Sequence, residues 1–185
     1  MSINYGHIDI VDANGGSSMD STTGALNVIN YEHHEIHGGS SFVVSDVQNL
    51  SSAIIQYMIT TPDSAKLAHM IFDIEATGEL LITITEGADR DGTTALNVFN
   101  RRRGSRASFV LAHRAVSGGS GDGATIWQHR SGSTGVGNKT ISGGGARGLN
   151  EWILKANTKY IVTLQTFANI YITFGLDWYE HQDRA

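Results

Sequence analysis

From residue 28 onward the chain is a succession of short apolar segments cut by glycine- and serine-rich turns, and this recurrence limits the fold more than any other feature. The segments fall at 41–47, 53–60, 66–76, 79–86, 95–101, 108–115, 124–130, 158–167 and 170–179. Thr83-Ile84-Thr85 and Tyr160-Ile161-Val162-Thr163 carry the β-branched and aromatic enrichment of strands. Within 66–76, Leu67, His69, Ile71 and Asp73 alternate with Ala68, Met70, Phe72 and Ile74, the two-residue period of a half-buried strand. Ala76-Thr77-Gly78-Glu79 and Phe167-Ala168-Asn169 have the length of tight hairpins. Helical signal is confined to 150–155, which reads equally as another strand. About nine short strands with such turns predict an all-β chain, an antiparallel β-sandwich that is jelly-roll-like.

Residues 1–27 differ. Asn14-Gly15-Gly16-Ser17-Ser18 and Asp20-Ser21-Thr22-Thr23-Gly24 are linker chemistry, so 1–27 is expected to be a flexible, extended N-terminal arm. Residues 28–185 then form a single β-sandwich domain, with glycine-rich loops near 117–148 around a lone strand at 124–130. Total length, 185 residues, suits one domain. Ile170-Tyr171-Ile172-Thr173-Phe174 and Trp178-Tyr179 alternate little and read as needing cover on both faces, which predicts self-association.

Composition removes several function classes. There is no cysteine, which excludes disulfides, thiolate catalysis and cysteine-based zinc sites. A formal net charge of -5 argues against a protein that coats nucleic acid. No apolar run reaches the roughly 18 residues that read as a spanning helix, so no membrane partner is expected. Met1-Ser2-Ile3-Asn4-Tyr5 lacks the basic and apolar regions of a signal peptide, which predicts a protein made in a cytoplasm.

The densest polar cluster is Glu32-His33-His34-Glu35-Ile36-His37. His33 and His37 would share one face of a helix, and with Glu35 one face of a strand, so they are the metal-ligand candidates. The zincin spacing is absent, since only Ile36 separates Glu35 from His37, and no cupin-type pattern follows. The segment therefore reads as a polar strand edge without metal. In Gly132-Ser133-Thr134-Gly135-Val136-Gly137-Asn138-Lys139-Thr140 the lysine falls one position late for a phosphate loop, and no nucleotide cofactor is expected. No Gly-x-Ser-x-Gly elbow occurs, and Asp73 and Glu75 read as a solvent-facing pair, so no enzyme is expected. Arg101, Arg102, Arg103 and Arg106 form the basic cluster, which reads equally as a solvated turn or as a contact to an acidic protein surface or a neighbouring protomer.

Several ordered stretches carry a resemblance. They are Tyr31-Glu32-His33-His34-Glu35-Ile36-His37-Gly38-Gly39-Ser40-Ser41-Phe42, Thr61-Pro62 with Ala68-His69-Met70, and Gly92-Thr93 with Asn100-Arg101-Arg102-Arg103. The C-terminal ones are Glu151-Trp152-Ile153-Leu154-Lys155-Ala156-Asn157-Thr158-Lys159-Tyr160 and Leu176-Asp177-Trp178-Tyr179-Glu180-His181. Together, over about 28–181, they resemble a family of tailed-bacteriophage virion structural proteins of the capsid decoration (cement) type. The resemblance implies a β-sandwich on the outer surface of an assembled head, made in the host bacterial cytoplasm. Its partners would be the major capsid protein and its own copies, as a homotrimer. It carries over no catalytic residues and no cofactor. Arg102 stands where the family often has asparagine, so a shared role for that turn does not transfer.

The alternatives are a head–tail or tail component, a metal-dependent enzyme built on the histidine cluster, and a virion-surface carbohydrate-binding module with Trp127, Trp152 or Trp178 as platform. Within the arm, Ile8, Ile10 and Val11 alternate around Asp9 as a strand added to a neighbour's sheet would. Deleting residues 1–27 is expected to leave the sandwich folded and to weaken attachment or oligomerisation. Unchanged binding of the truncated chain to particles would refute that role.

Overall fold

A computed structural model describes residues 31–132 and 150–182. The arm at 1–27, its anchors Ile8, Ile10 and Val11, and most of the expected glycine-rich loop, 133–149, lie outside the described residues. A short helix, α1 (Tyr31–Gly38), precedes β1 (Ser41–Ser51), β2 (Ile54–Thr60), β3 (Leu67–Ala76) and β4 (Leu80–Glu86). Then come β5 (Asp89–Ala95), β6 (Phe99–Asn100), β7 (Leu111–Gly121), β8 (Ala124–Ser131), β9 (Trp152–Leu154), β10 (Lys159–Thr166) and β11 (Asn169–His181).

These strands form two antiparallel layers, β6-β1-β11-β3-β9 and β5-β7-β2-β10-β4-β8. With β5–β7 set aside, the remaining strands give β1-β11-β3-β9 facing β2-β10-β4-β8. Every link among them crosses between layers except that from β4 to β8, which are neighbours. That is the jelly roll, two interlocked Greek keys, as the strand pattern predicts. β10 and β11, consecutive in sequence, are each central in one layer.

The inner faces follow the two-residue period. Ile170, Ile172, Phe174, Leu176 and Trp178 of β11 are buried against Tyr160, Val162 and Leu164 of β10, Leu80, Ile82 and Ile84 of β4, and Tyr57 and Ile59 of β2. Each such side chain stabilises the fold by about 1.5–3 kcal/mol when fully buried. Tyr57 and Phe174 join the two layers, their rings stacked at 3.9 Å and 5°. The Tyr57 hydroxyl donates to Asp46 Oδ2 at 2.8 Å on the opposite layer. Burial first, and then the Asp46 carboxylate, holds that hydroxyl far above the usual tyrosine range.

Several expectations are corrected. The stretches at 76–79 and 167–169 are not hairpins: β3 and β4, and likewise β10 and β11, lie in different layers, so both turns are arches across the sandwich. A turn's length does not reveal whether its strands pair or face each other. Over 169–177 β11 alternates, with Tyr171 59% exposed between buried neighbours, so cover on both faces is absent at 170–174; at Trp178-Tyr179, 0% and 6% exposed, both faces are covered, from within this chain. The histidine-rich segment is helix, not a strand edge; Gly38-Gly39 ends it, and Ser40 N–H donates to Glu35 O at 3.1 Å. The strand expected at 95–101 is mostly irregular, with only Phe99–Asn100 paired to β1.

Residues 117–121, expected in a loop, complete β7. Leu111–Arg114 of β7 pair with β2, and β7 pairs with β5 at His113 and Arg114 and again from Val116 onward. Between them Ala115 takes a left-handed φ of 66°, which turns the strand. The β5–β7 ribbon then crosses the outer face of the second layer. Met58 and Ile161, which point away from the core, are 1% and 0% exposed beneath it. Gln56 Nε2 donates to Asp122 Oδ2 at 3.0 Å, Thr85 Oγ1 donates to the Asp122 carbonyl, and Lys159 Nζ donates to Arg90 O at 2.6 Å. Gly119 has a φ of 63°, and a Cβ there would overlap the Asp89 carbonyl. Gly119→Ala is expected to destabilise the ribbon by more than about 1–2 kcal/mol, the cost of the left-handed φ alone, since backbone must also shift. Hydrogen exchange checks it: β5 and the end of β7 should exchange faster while β10 and β11 keep their protection.

Candidate interaction surface

Along β11 the even-numbered residues face the core, and that parity carries Glu180 inward at the rim, where it is 3% exposed. A carboxylate so placed needs donors around it. Arg106 Nη1 lies 2.7 Å from Oε2, while Ser108 Oγ donates to Oε1 at 2.5 Å and Phe109 N–H at 2.9 Å. The chain from 99 to 111 therefore folds around one buried charge.

Asn100 fixes the other side of this turn. Its Nδ2 donates to Gly39 O at 2.8 Å and Arg106 O at 2.9 Å, and its Oδ1 accepts from Arg102 N–H at 2.8 Å. Arg101 pairs with Asp177, and its N–H donates to Ser41 O at 2.9 Å. Arg102 Nη1 donates to His37 O at 2.6 Å, a cation at the C-terminal end of α1 where the helix dipole favours it. The Arg106 guanidinium also lies 5.0 Å from the Phe42 ring and 5.1 Å from that of Phe109. Arg103 covers Phe99 at 4.7 Å and makes no ion pair among the described residues.

The sequence therefore located the turn but not its chemistry. Of the arginines read as contact candidates, Arg101 and Arg106 neutralise carboxylates of β11, and Arg102 caps a helix. What the segment turns outward is a mixed surface: Arg103 with Phe99, Phe109 and Leu111, which are 46%, 58% and 54% exposed. Glu180, Asn100 and Ser108 organise it.

Apart from Gly92-Thr93, which lies in β5, the stretches behind the family resemblance converge at this same end of the sandwich. Tyr179 stacks on His69 at 4.7 Å, and its hydroxyl donates to Glu151 Oε2 at 3.2 Å. His181 Nδ1 lies 3.9 Å from Glu35 Oε1, and His69 Nδ1 the same distance from Glu151 Oε2. Thr61 Oγ1 donates to Lys155 O at 2.6 Å and accepts from Thr158 N–H at 2.9 Å. Tyr160, its hydroxyl pushed up to about 12 chiefly by burial, accepts from Lys155 N–H and donates to Glu86.

His33 and His37 are exposed and one helical turn apart on α1. Among the described residues no group of three or more histidines, aspartates or glutamates could hold a metal ion. Of the tryptophans named as glycan platforms, Trp178 is fully buried and Trp152 packs edge-on against Phe72 at 6.5 Å, which leaves Trp127 at 37% exposure.

Glu180→Ala would strand the donors around it and is expected to cost about 3–5 kcal/mol. Arg103→Ala, at the surface, should change stability by less than about 0.5 kcal/mol. Urea unfolding of the two variants checks the contrast. Compared with known proteins, the chain matches no family model, no curated protein and no solved structure.

Proposed function

We propose that this chain is a virion structural protein of the capsid decoration type, which binds the outer surface of an assembled bacteriophage head and stabilises it by bridging capsid subunits. The observation that carries the reading is the 99–111 segment: a turn locked by Glu180 and Asn100 that presents Arg103, Phe99, Phe109 and Leu111 to solvent. Arginine and aromatic side chains held rigidly are the types that dominate binding energy at protein interfaces. Pre-organisation by the buried carboxylate lowers the entropy lost on binding. The ordered family resemblance supports the same reading, since its stretches apart from Gly92-Thr93 build the end of the sandwich that bears this segment.

In mechanism, each copy would seat this surface on an acidic and apolar patch of the major capsid protein. About 1,000 Å² or more of buried surface per contact suffices for stable attachment. Many repeated contacts would then resist expansion of the shell.

Particles stripped of the protein and re-decorated with variants test it. Phe109→Ala is expected to weaken attachment by about 2 kcal/mol or more. Arg103→Glu should slow association and change its salt dependence. Stripped particles that survive heat as well as decorated ones would refute stabilisation, and localisation of the protein to the tail would refute the site.

A further inference from the structure

A sheet edge offers unpaired backbone groups to any other strand, and proteins blunt such edges by shortness, charge or irregularity. Among the described residues the first layer ends in β6 and β9, which are 2 and 3 residues long. The second layer ends on one side in β5, which carries Asp89, Arg90 and Asp91 and whose register shifts between Asp89 and Asp91. Its other edge, β8, is less protected among the described residues. It runs for 8 residues, Ala124 to Arg130 are all exposed, and it contains no proline. Its only formal charge, Arg130, is already held: Nε donates to Glu79 Oε1 at 2.7 Å, and the guanidinium covers the Phe167 ring. One irregularity, between Ile84 and Thr85 on the partner strand, sets Ile126 apart and leaves 127–131 as a regular run.

We propose that β8 is a self-association edge: two copies of this chain pair their β8 strands antiparallel about a two-fold axis at His129, joining their second layers into one continuous sheet. The run complements itself in that register. Trp127 faces the small Ser131 of the other copy, Gln128 faces Arg130, and His129 faces its own counterpart, so no two formal charges of like sign are opposed. Trp127 is 37% exposed and lies stacked on His129 at 5.5 Å and 20°, so the bulky ring at the joint is already oriented. Gln128 donates to Thr83 Oγ1 at 3.1 Å, which holds the strand to β4, and among the described residues no strand pairs with its other side. A two-fold contact uses the same patch twice and closes on itself, so the edge is consumed and no fibre grows.

The inference stands apart from the capsid reading, which rests on the 99–111 segment. It also differs from the trimer that the family resemblance implies. Native mass spectrometry and light scattering at micromolar concentration decide between them, with a wild-type mass of two chains expected. His129→Lys and His129→Glu each set like charges face to face across the axis, at an exposed position. Each alone should raise the dissociation constant roughly threefold or more. Mixed in equal amounts, the two variants should form a heterodimer at least as tight as the wild type. Only a two-fold axis at residue 129 places one position opposite itself in this way. A wild-type mass of one chain or three overturns the proposal. So do charge variants that dimerise as before, or a mixture no tighter than either variant alone. Re-decoration of stripped particles, read separately with the same variants, keeps failure here distinct from failure of the capsid reading.

Discussion

The whole architecture hangs on the two-residue period of β10 and β11. These strands follow each other in sequence, face each other across the core, and each is hydrogen-bonded on both sides. A slip of one residue in either would turn Phe174 and Trp178, or Tyr160 and Val162, out to water. Their register therefore fixes that of β1, β2, β3 and β4, and the stacked pair Tyr57–Phe174 locks the layers at one spacing. The partners lie far back in the chain: Leu176 meets Val44 and Phe72, and Ile161 meets Met58. Such long-range pairing places the protein among slowly folding topologies.

Much of this was legible in the residues. Alternation in 66–76 assigned both faces of β3 correctly, and the count of apolar segments led to the right architecture. The two misread turns share one physical cause. Sequence carries the period of a strand but not the layer it joins, so the arches at 76–79 and 167–169 read as hairpins. The ribbon was missed for a related reason. Its glycines signal flexibility in isolation, whereas here Gly119 allows one backbone to touch another over Met58 and Ile161.

The interaction surface was legible only as a run of arginines. Its organiser, Glu180, could have been found by parity, for it falls on the even-numbered, core-facing positions of a strand whose other such residues are apolar. A carboxylate there demands cations and N–H groups, and the arginine run was the available source. Electrostatic need inside the fold thus consumes charges that look free in the sequence. The exposed arginine left outside these pairings is Arg103, beside three exposed apolar side chains.

The insertion between β4 and β8 has a separate consequence. Glu86 and Ala124 are directly paired, so residues 87–123 leave and re-enter the framework at one point. Closing a long excursion between ends already adjacent adds little entropy cost over a short one, because that cost grows only with the logarithm of length. The site behaves as a port, where segments of different length and content can be exchanged without altering the crossing links that define the two keys. The interaction surface at 99–111 lies wholly within that excursion. Specificity for a partner can therefore diverge rapidly on a scaffold that stays constant.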